Sequence, residues 1–498
     1  MTHPGVPARP ATGIAIMSKK LQDIPVTVVE VNDQGEYEEI RLYAKHKKIY
    51  PRWINGLFNK WRIFFVIATQ LFFYGMPWVN LNDRQALLFD LANRKFFIFN
   101  LVFLPQDFIY LTALLVMCAF GLFAWTTIGG RLWCGYSCPQ TVYTEIFLWI
   151  EKWVEGDRMA RIKLDNGPRN ARKIRLKLTK HAIWIVVSLW TGFTFVGYFT
   201  PIRELWHETL TLGISPLEAF WVLFYGFATY GNAGWLREQV CKYMCPYARF
   251  QSAMFDADTL VVSYDLERGE SRGSRKKGAD YKAEGLGDCI DCKMCVQVCP
   301  VGIDIRDGLQ YECIGCAACI DACDEVMDKM SYPRGLIRYT TENALNKIYP
   351  ESKFLSRLKR PRVLMYGVIL LIVAVITLVS LAHHQPVKVN IARDRVALVR
   401  EAEDGMLENS YRLQIENADE KSHVYTIQAE GLEGMKVLVD GGNAVSVSAT
   451  GQEDVGVRLH VDAAHAKAGS HPIYFIVTAR DDPKIEVREK SSFIGQNP

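Results

Sequence analysis

Cysteine is missing from the first 117 and the last 175 residues of this 498-residue chain; all thirteen lie between 118 and 323. A C-terminal stretch of that length without cysteine carries no disulfide and no thiol to oxidise. A reducing compartment, by contrast, keeps the middle section's thiols available as ligands. Charge of one sign is also scarce. With 58 basic and 54 acidic residues the net charge is +4, which does not suggest nucleic-acid binding. No cleavable signal peptide is visible, because residues 1–60 are polar and the first apolar run starts too late. Histidine totals ten, and none stands opposite another inside an apolar run, which argues against a membrane b-type haem. His383 and His384 follow the last run and read as a solvated pair.

What the chain has is hydrophobic length. Five apolar runs of about twenty residues match a bilayer core: 62–80, 104–128, 182–200, 216–235 and 363–382. The fourth is interrupted by Glu218 and Asn232. Ten lysines and arginines lie between 151 and 181, and "KHKKIYPRW" precedes the first run, whereas 201–215 has only Arg203. This bias predicts that the N-terminus, 151–181 and 236–362 are cytoplasmic and that everything after 383 lies outside.

Between runs four and five the sequence reads C-x2-C-x2-C-x3-C-P from Cys289 to Pro300, then C-x2-C-x2-C-x3-C from Cys313 to Cys323. Such spacing wraps three thiolates around one cubane while the fourth serves its neighbour. One [4Fe–4S] cluster then takes Cys289, Cys292, Cys295 and Cys323; the other takes Cys313, Cys316, Cys319 and Cys299. Zinc also uses C-x2-C pairs, but it has no use for a third cysteine at the same short step. Asp324 stands where proline follows the first run. Gly315, Ala317 and Ala318 are small residues beside the thiols that leave room for a cluster.

The pattern C-x-x-x-C-P occurs twice, in "WCGYSCPQ" and "VCKYMCPY", each after an apolar run predicted to end at the cytoplasmic face. An i, i+4 step would place both sulfurs of a pair on one helix face, with proline ending the helix just beyond. Cys134 and Cys138 would then meet Cys241 and Cys245. Packing cysteines are the bland reading, as for Cys118. A repeated motif in equivalent positions favours a thiolate redox or metal-handling site suited to Cu(I), zinc or an iron–sulfur centre.

These runs, "WCGYSCPQTVYTEIF", "EQVCKYMCPYARFQSAMFD", the double ferredoxin spacing and the cysteine-free tail together resemble the cytochrome c oxidase accessory family, known as CcoG, FixG or RdxA. The chain is more distantly similar to the membrane polyferredoxins of nitrate and nitrous-oxide respiration. The resemblance implies a bacterial inner-membrane protein in cbb3-type oxidase assembly. It would reduce Cu(II) to Cu(I) at Cys134, Cys138, Cys241 and Cys245, alongside assembly factors or a copper transporter. The alternative is an electron-transfer subunit of a respiratory complex, a polyferredoxin-like quinol dehydrogenase component with Gln106 and Asp107 as polar candidates for a quinone site. Neither the electron donor nor a homo-oligomeric state is readable from the residues.

After 385 short alternating runs such as "SYRLQIEN" and "IYFIVTA" predict an antiparallel β-sandwich, and the family resemblance adds an immunoglobulin-like fold. The expected class is a five-span α-helical membrane protein with a 2[4Fe–4S] ferredoxin-like insert and a C-terminal all-β domain. Its expected parts are an N-terminal arm at 1–60, with β-type alternation in "PVTVVEV" after a disordered start, and a four-helix region at 61–235. The cytoplasmic insert at 236–362, a fifth helix at 363–382 and a periplasmic domain at 383–498 complete it. This topology has a direct test. Membrane-impermeant thiol reagents should label no cysteine in intact cells, and external protease should remove only the tail beyond about residue 383. Labelling of Cys134 or Cys245 from outside would overturn it.

Overall fold

The computed structural model describes residues 48–82, 84–348, 359–383, 385–394, 399–402 and 405–496. Most of the expected N-terminal arm, residues 1–47, and His384 lie outside the described residues. The helices that position the site are α1 (Leu57–Gly75), α2 (Phe108–Gly129), α3 (Leu132–Tyr136), α4 (Pro139–Glu155), α5 (Ala171–Val196), α6 (Pro216–Thr229), α7 (Pro246–Met254), α8 (Met294–Val298), α9 (Ala318–Met330) and α10 (Pro361–Ala382).

Among the described residues two stretches are long and apolar enough to cross a membrane, Pro105–Gly129 and Pro361–Ala382. They run antiparallel: Tyr110 meets Ser380 at 2.9 Å between hydroxyls, and further along the Phe120 and Tyr366 rings lie 6.3 Å apart. Large apolar side chains stay exposed on α1, α5 and α6 as well, among them Leu71, Val186 and Phe227. The interruptions of the fourth apolar run have local causes. Glu218 completes a capping box with Ser215 at the start of α6, so its charge sits at the helix N-terminus rather than mid-span. Asn232 falls in a π-helical turn, Tyr230–Leu236, that ends the run.

At one end of the helices, strands Leu87–Asp90, Lys95–Ile98 and Leu101–Phe103 form an antiparallel sheet. Its Leu88, Phe97 and Val102 share an apolar cluster with Ala418 of the C-terminal domain. Ion pairs Arg84–Glu420 and Lys388–Asp107 fasten the same junction. Gln106 donates to Glu416 at 3.1 Å. Gln106 and Asp107 are thus committed to the β-domain, and Asp107 also accepts the Leu104 amide, which corrects their reading as a quinone site.

The C-terminal domain is the antiparallel sandwich that its alternation predicts. One sheet orders Lys436–Val439, Gln452–Val461, Leu407–Asn417 and Val387–Arg393, with Arg400–Glu401 pairing beside it. The other orders Ala444–Val447, His423–Glu430, Gly469–Ala479 and Glu486–Gly495. Alternate residues Tyr411, Leu413 and Ile415 of the first sheet and Ile473, Phe475 and Val477 of the second point inward and are almost wholly buried.

At the other end sits the cysteine-rich insert, flanked by the paired strands Val261–Tyr264 and Ile337–Thr340. It is tied to α1 by one side chain. Gly56 at the start of α1 offers no cap, and Asp321 of α9 takes that role from across the sequence. Its carboxylate accepts the amides of Phe58 at 3.2 Å and Asn59 at 2.8 Å. An acid at a helix N-terminus also opposes the positive end of the helix dipole. Asp321→Ala would orphan both donors in a buried site, so it should lower stability by roughly 1–3 kcal/mol. A lowered melting temperature in detergent checks this; an unchanged one would mean the cap is idle.

Candidate functional site

The two cysteine runs fold as a structural repeat. Asp291 and Lys293 in the first, and Gly315 and Ala317 in the second, occupy matching places and all have positive φ, between 50° and 66°. Only one of the four is glycine, so the turns are held in the left-handed region against the preference of three side chains. Turns that alternate handedness in this way aim successive amides into a concavity and recur at iron–sulfur sites. A short helix follows each run: α8 carries Cys295, and α9 carries Cys319 and Cys323.

The thiols line two cavities. Cys299, Cys313, Cys316 and Cys319 line one of about 370 Å³ of atom-free space, where Cys295 also reaches the wall. Cys289, Cys292, Cys295 and Cys323 line the other, of about 350 Å³. The remaining walls of the first are aliphatic; Lys293 and Arg306 reach the second. Among the described residues no three His, Cys, Asp or Glu side chains converge as tightly as a single ion requires. Zinc–sulfur bonds of about 2.3 Å demand such convergence. Thiols grouped by four around wider apolar cavities fit a four-iron core instead.

Burial favours the neutral form of five of these thiols without metal. It pushes Cys299 up to about 11 and Cys295 and Cys313 up to about 12, and it raises Cys319 and Cys323 further. A bound metal deprotonates such groups outright.

Asp324 continues α9 where the first run has Pro300. Cys323 lies within this thirteen-residue helix, which a proline there would break, and Asp324 accepts the Gly335 amide at 3.0 Å. Gly315 does not widen a cavity: a side chain there would stand 3.2 Å from the Arg131 backbone. Ala318 lines the first cavity as expected.

The paired motifs depart from the expected single helix face. Cys134 lies in α3, but Cys138 is the extended N-cap of α4 (φ −62°, ψ 128°) with Pro139 at the first helical position. Cys241 lies in a π-helical turn, Val240–Met244, and Cys245 caps α7 in the same way (φ −77°, ψ 109°). The cause is the proline. It bars the residue before it from helical backbone and favours the start of a new helix rather than the end of an old one. The second thiol of each pair therefore stands at a helix N-terminus.

The two motifs meet. The Cys134 thiol donates to Gln251 of α7 at 3.5 Å, and the Trp133 and Tyr247 rings touch edge-on at 6.1 Å. Arg131 is buried; it donates to the Ala248 carbonyl beyond Cys245 and to the Cys313 carbonyl at 3.5 Å. Burial raises Cys134 to about 11 and Cys241 to about 12, and repulsion from neighbouring paired thiols adds to both. Burial also raises Cys138, partly offset by the amides of Gln140 and Thr141. Cys134 packs into the same apolar cluster as Cys299, Cys313, Cys316 and Cys319. Cys118, in α2, is exposed and apart from all these groups.

Sequence reasoning missed Asp321, Arg131, Gln251 and Tyr339, whose hydroxyl donates to the Gly315 carbonyl at 2.6 Å. None belongs to a spaced motif of its own.

Comparison with known families is consistent with this geometry. A 4Fe-4S dicluster domain matches residues 236–342, a 4Fe-4S binding domain matches 111–156, and the IG-like fold at the C-terminus of FixG matches 377–496. Protein RdxB of Cereibacter sphaeroides is 39% identical, over 85% of this chain and 90% of that protein. Nitrogen fixation protein FixG of Rhizobium meliloti is 37% identical, over 92% and 91%. A crystal structure of a FixG-related protein from Vibrio parahaemolyticus, 21% identical, covers 23% of this chain and 99% of its own, with a TM-score of 0.21.

The left-handed turns give a test. Ala317 is buried at φ 58°, which a β-branched residue cannot adopt without large strain. Ala317→Val should cost about half of the bound iron, and Ala317→Gly should keep it all. Full iron in the valine variant, by metal analysis of anaerobic preparations, would refute the role given to this turn.

Proposed function

The chain belongs to the FixG/RdxA family of iron–sulfur electron-transfer proteins, and from that premise we propose that it reduces Cu(II) to Cu(I) at the paired thiols for cbb3-type oxidase assembly. The observation that carries this is the shared apolar cluster, against which both Cys134 and the thiols of the first cavity pack.

In this reading Cys289, Cys292, Cys295 and Cys323 hold one [4Fe–4S] cluster, and Cys313, Cys316, Cys319 and Cys299 hold the other. When bound, the clusters supply reversible one-electron storage. The chain's own residues do the rest. Aliphatic walls exclude water from the thiols, and Arg131 locks the insert to both paired motifs through two carbonyls. Gln251 orients the Cys134 proton, and the α4 amides favour charge on Cys138. Copper enters as substrate: each Cu(II) takes one electron, ultimately from a cytoplasmic donor, and Cu(I) leaves on soft sulfur.

The protein spans the bacterial inner membrane five times, through α1, α2, α5 with its following turn, α6 with its π turn, and α10. Exposed apolar side chains on all five support this. Segments assigned to each side also keep to their own side. Residues 84–107 contact 388–450, whereas 56–62 and 131–138 contact 145 and 313–321. The N-terminus and clusters face the cytoplasm and the β-domain faces the periplasm, and cbb3-type oxidase assembly factors or a copper transporter are the partners. In this reading the parts are the arm at 1–60, the four-helix region at 61–235, the insert at 236–362, the fifth helix at 363–382 and the β-domain at 383–498.

Anaerobic protein should hold about eight iron atoms per chain. Cys138→Ser with Cys245→Ser should abolish Cu(II) reduction while iron stays normal, since a serine oxygen is a hard, protonated, poor ligand for Cu(I). Full iron with undiminished copper reduction would end this proposal.

A further inference from the structure

Gly135 lies between the two thiols of the first pair, and its backbone gives it no conformational reason to be glycine, since its φ is not positive. Its surroundings do. A Cβ there would stand 2.9 Å from the Cys316 Cα, 2.9 Å from the Ile314 carbonyl oxygen and 3.0 Å from the Cys316 amide nitrogen. All three are backbone atoms, so no side chain can swing aside. The same two segments meet again beside it, because a Cβ on Gly315 would stand 3.2 Å from the Arg131 backbone and Arg131 reaches the Cys313 carbonyl. Tyr339 holds the same loop from behind through Gly315, and its hydroxyl faces that of Tyr136 at 3.4 Å. Chain segments 131–136 and 313–316 are therefore in direct backbone contact.

The second cavity has no such neighbour. Its wall is Tyr264, Val326, Met327, Leu336 and Ile337, all from the insert or its flanking strands. The paired thiols adjoin one thiol set and not the other.

We infer that Gly135 is a positioning residue for electron transfer, and that electrons leave the insert from the Cys299, Cys313, Cys316 and Cys319 set directly to the Cys134 pair. The Cys289, Cys292, Cys295 and Cys323 set is then the entry side, nearer the donor. The inference rests on the iron–sulfur reading and on copper as acceptor. One electron leaves the insert at the Cys316 loop and reduces one Cu(II) to Cu(I) at the thiols. A one-electron donor replaces it, and dithionite serves as that donor in the test.

The test uses full-length protein purified anaerobically. Cys292→Ser and Cys316→Ser first assign the two EPR signals of the dithionite-reduced protein. Gly135→Ala should keep the iron and shift the signal or midpoint potential of the Cys316 set alone. It should also slow single-turnover oxidation by Cu(II) severalfold, because electron transfer falls off steeply with distance. Gly121→Ala, in α2 where a Cβ meets nothing, should change neither. Should Gly135→Ala fail to accumulate, Arg131→Lys, which keeps the charge but not the reach to the Cys313 carbonyl, should shift the same signal. An unchanged signal and rate in iron-replete Gly135→Ala, or a shift confined to the Cys292 set, would overturn the inference. Wild-type protein without iron would instead overturn the function it rests on.

Discussion

Backbone-to-backbone contact between the first thiol loop and the second cysteine run is the constraint on which the rest depends. Two chains can approach so closely only where side chains are missing, and Gly135 and Gly315 supply both halves of that gap. Once the segments touch, their peptide groups need partners away from bulk water. Arg131 and Tyr339 provide them by donating to the Cys313 and Gly315 carbonyls. Asp321 extends the same docking to α1, filling the space where Gly56 has no side chain. The insert is thereby held to two helices at its own cysteine runs, and Thr259 and Leu260 add bonds to the Thr127 and Ile128 carbonyls at the end of α2.

Proline placement explains why the two paired motifs behave alike. In each, the second cysteine precedes proline, takes extended backbone and caps a new helix. The sharp turn brings the four thiols within each other's electrostatic reach while directing α4 and α7 away. The second ferredoxin run lacks proline for the opposite reason: Cys323 needs an unbroken α9, whose preceding turn places Asp321 at the head of α1.

Local features were legible in the residues. The three-residue steps of the cysteine runs foretold which thiols line which cavity, because such steps fix their own turn geometry. Alternation foretold the sandwich, where Tyr411, Leu413 and Ile415 face inward in register. The reading failed where a single residue's neighbour decided the outcome. Helical spacing in C-x-x-x-C suggested one face, but the following proline overrode it. Gln106 and Asp107 looked like polar groups in a span, but their partners Glu416 and Lys388 lie some three hundred residues away. Asp321 sits between two ligand cysteines with no mark of its own, since what it caps is encoded 263 residues earlier.

Helix α2 joins these ends. Just before its first turn Asp107 pairs with Lys388 of the β-domain and accepts the Leu104 amide. Just after its last turn Arg131 enters the thiol site. α10, the other long apolar helix, packs antiparallel along it and leads directly into the strand that carries Lys388. The β-domain is therefore joined to α2 by the packing of α10 along it and by an ion pair at Asp107. A cysteine-free domain is thus anchored at one end of the helix whose other end leads, through the turn at Gly130, into the segment that carries Arg131 and Cys134.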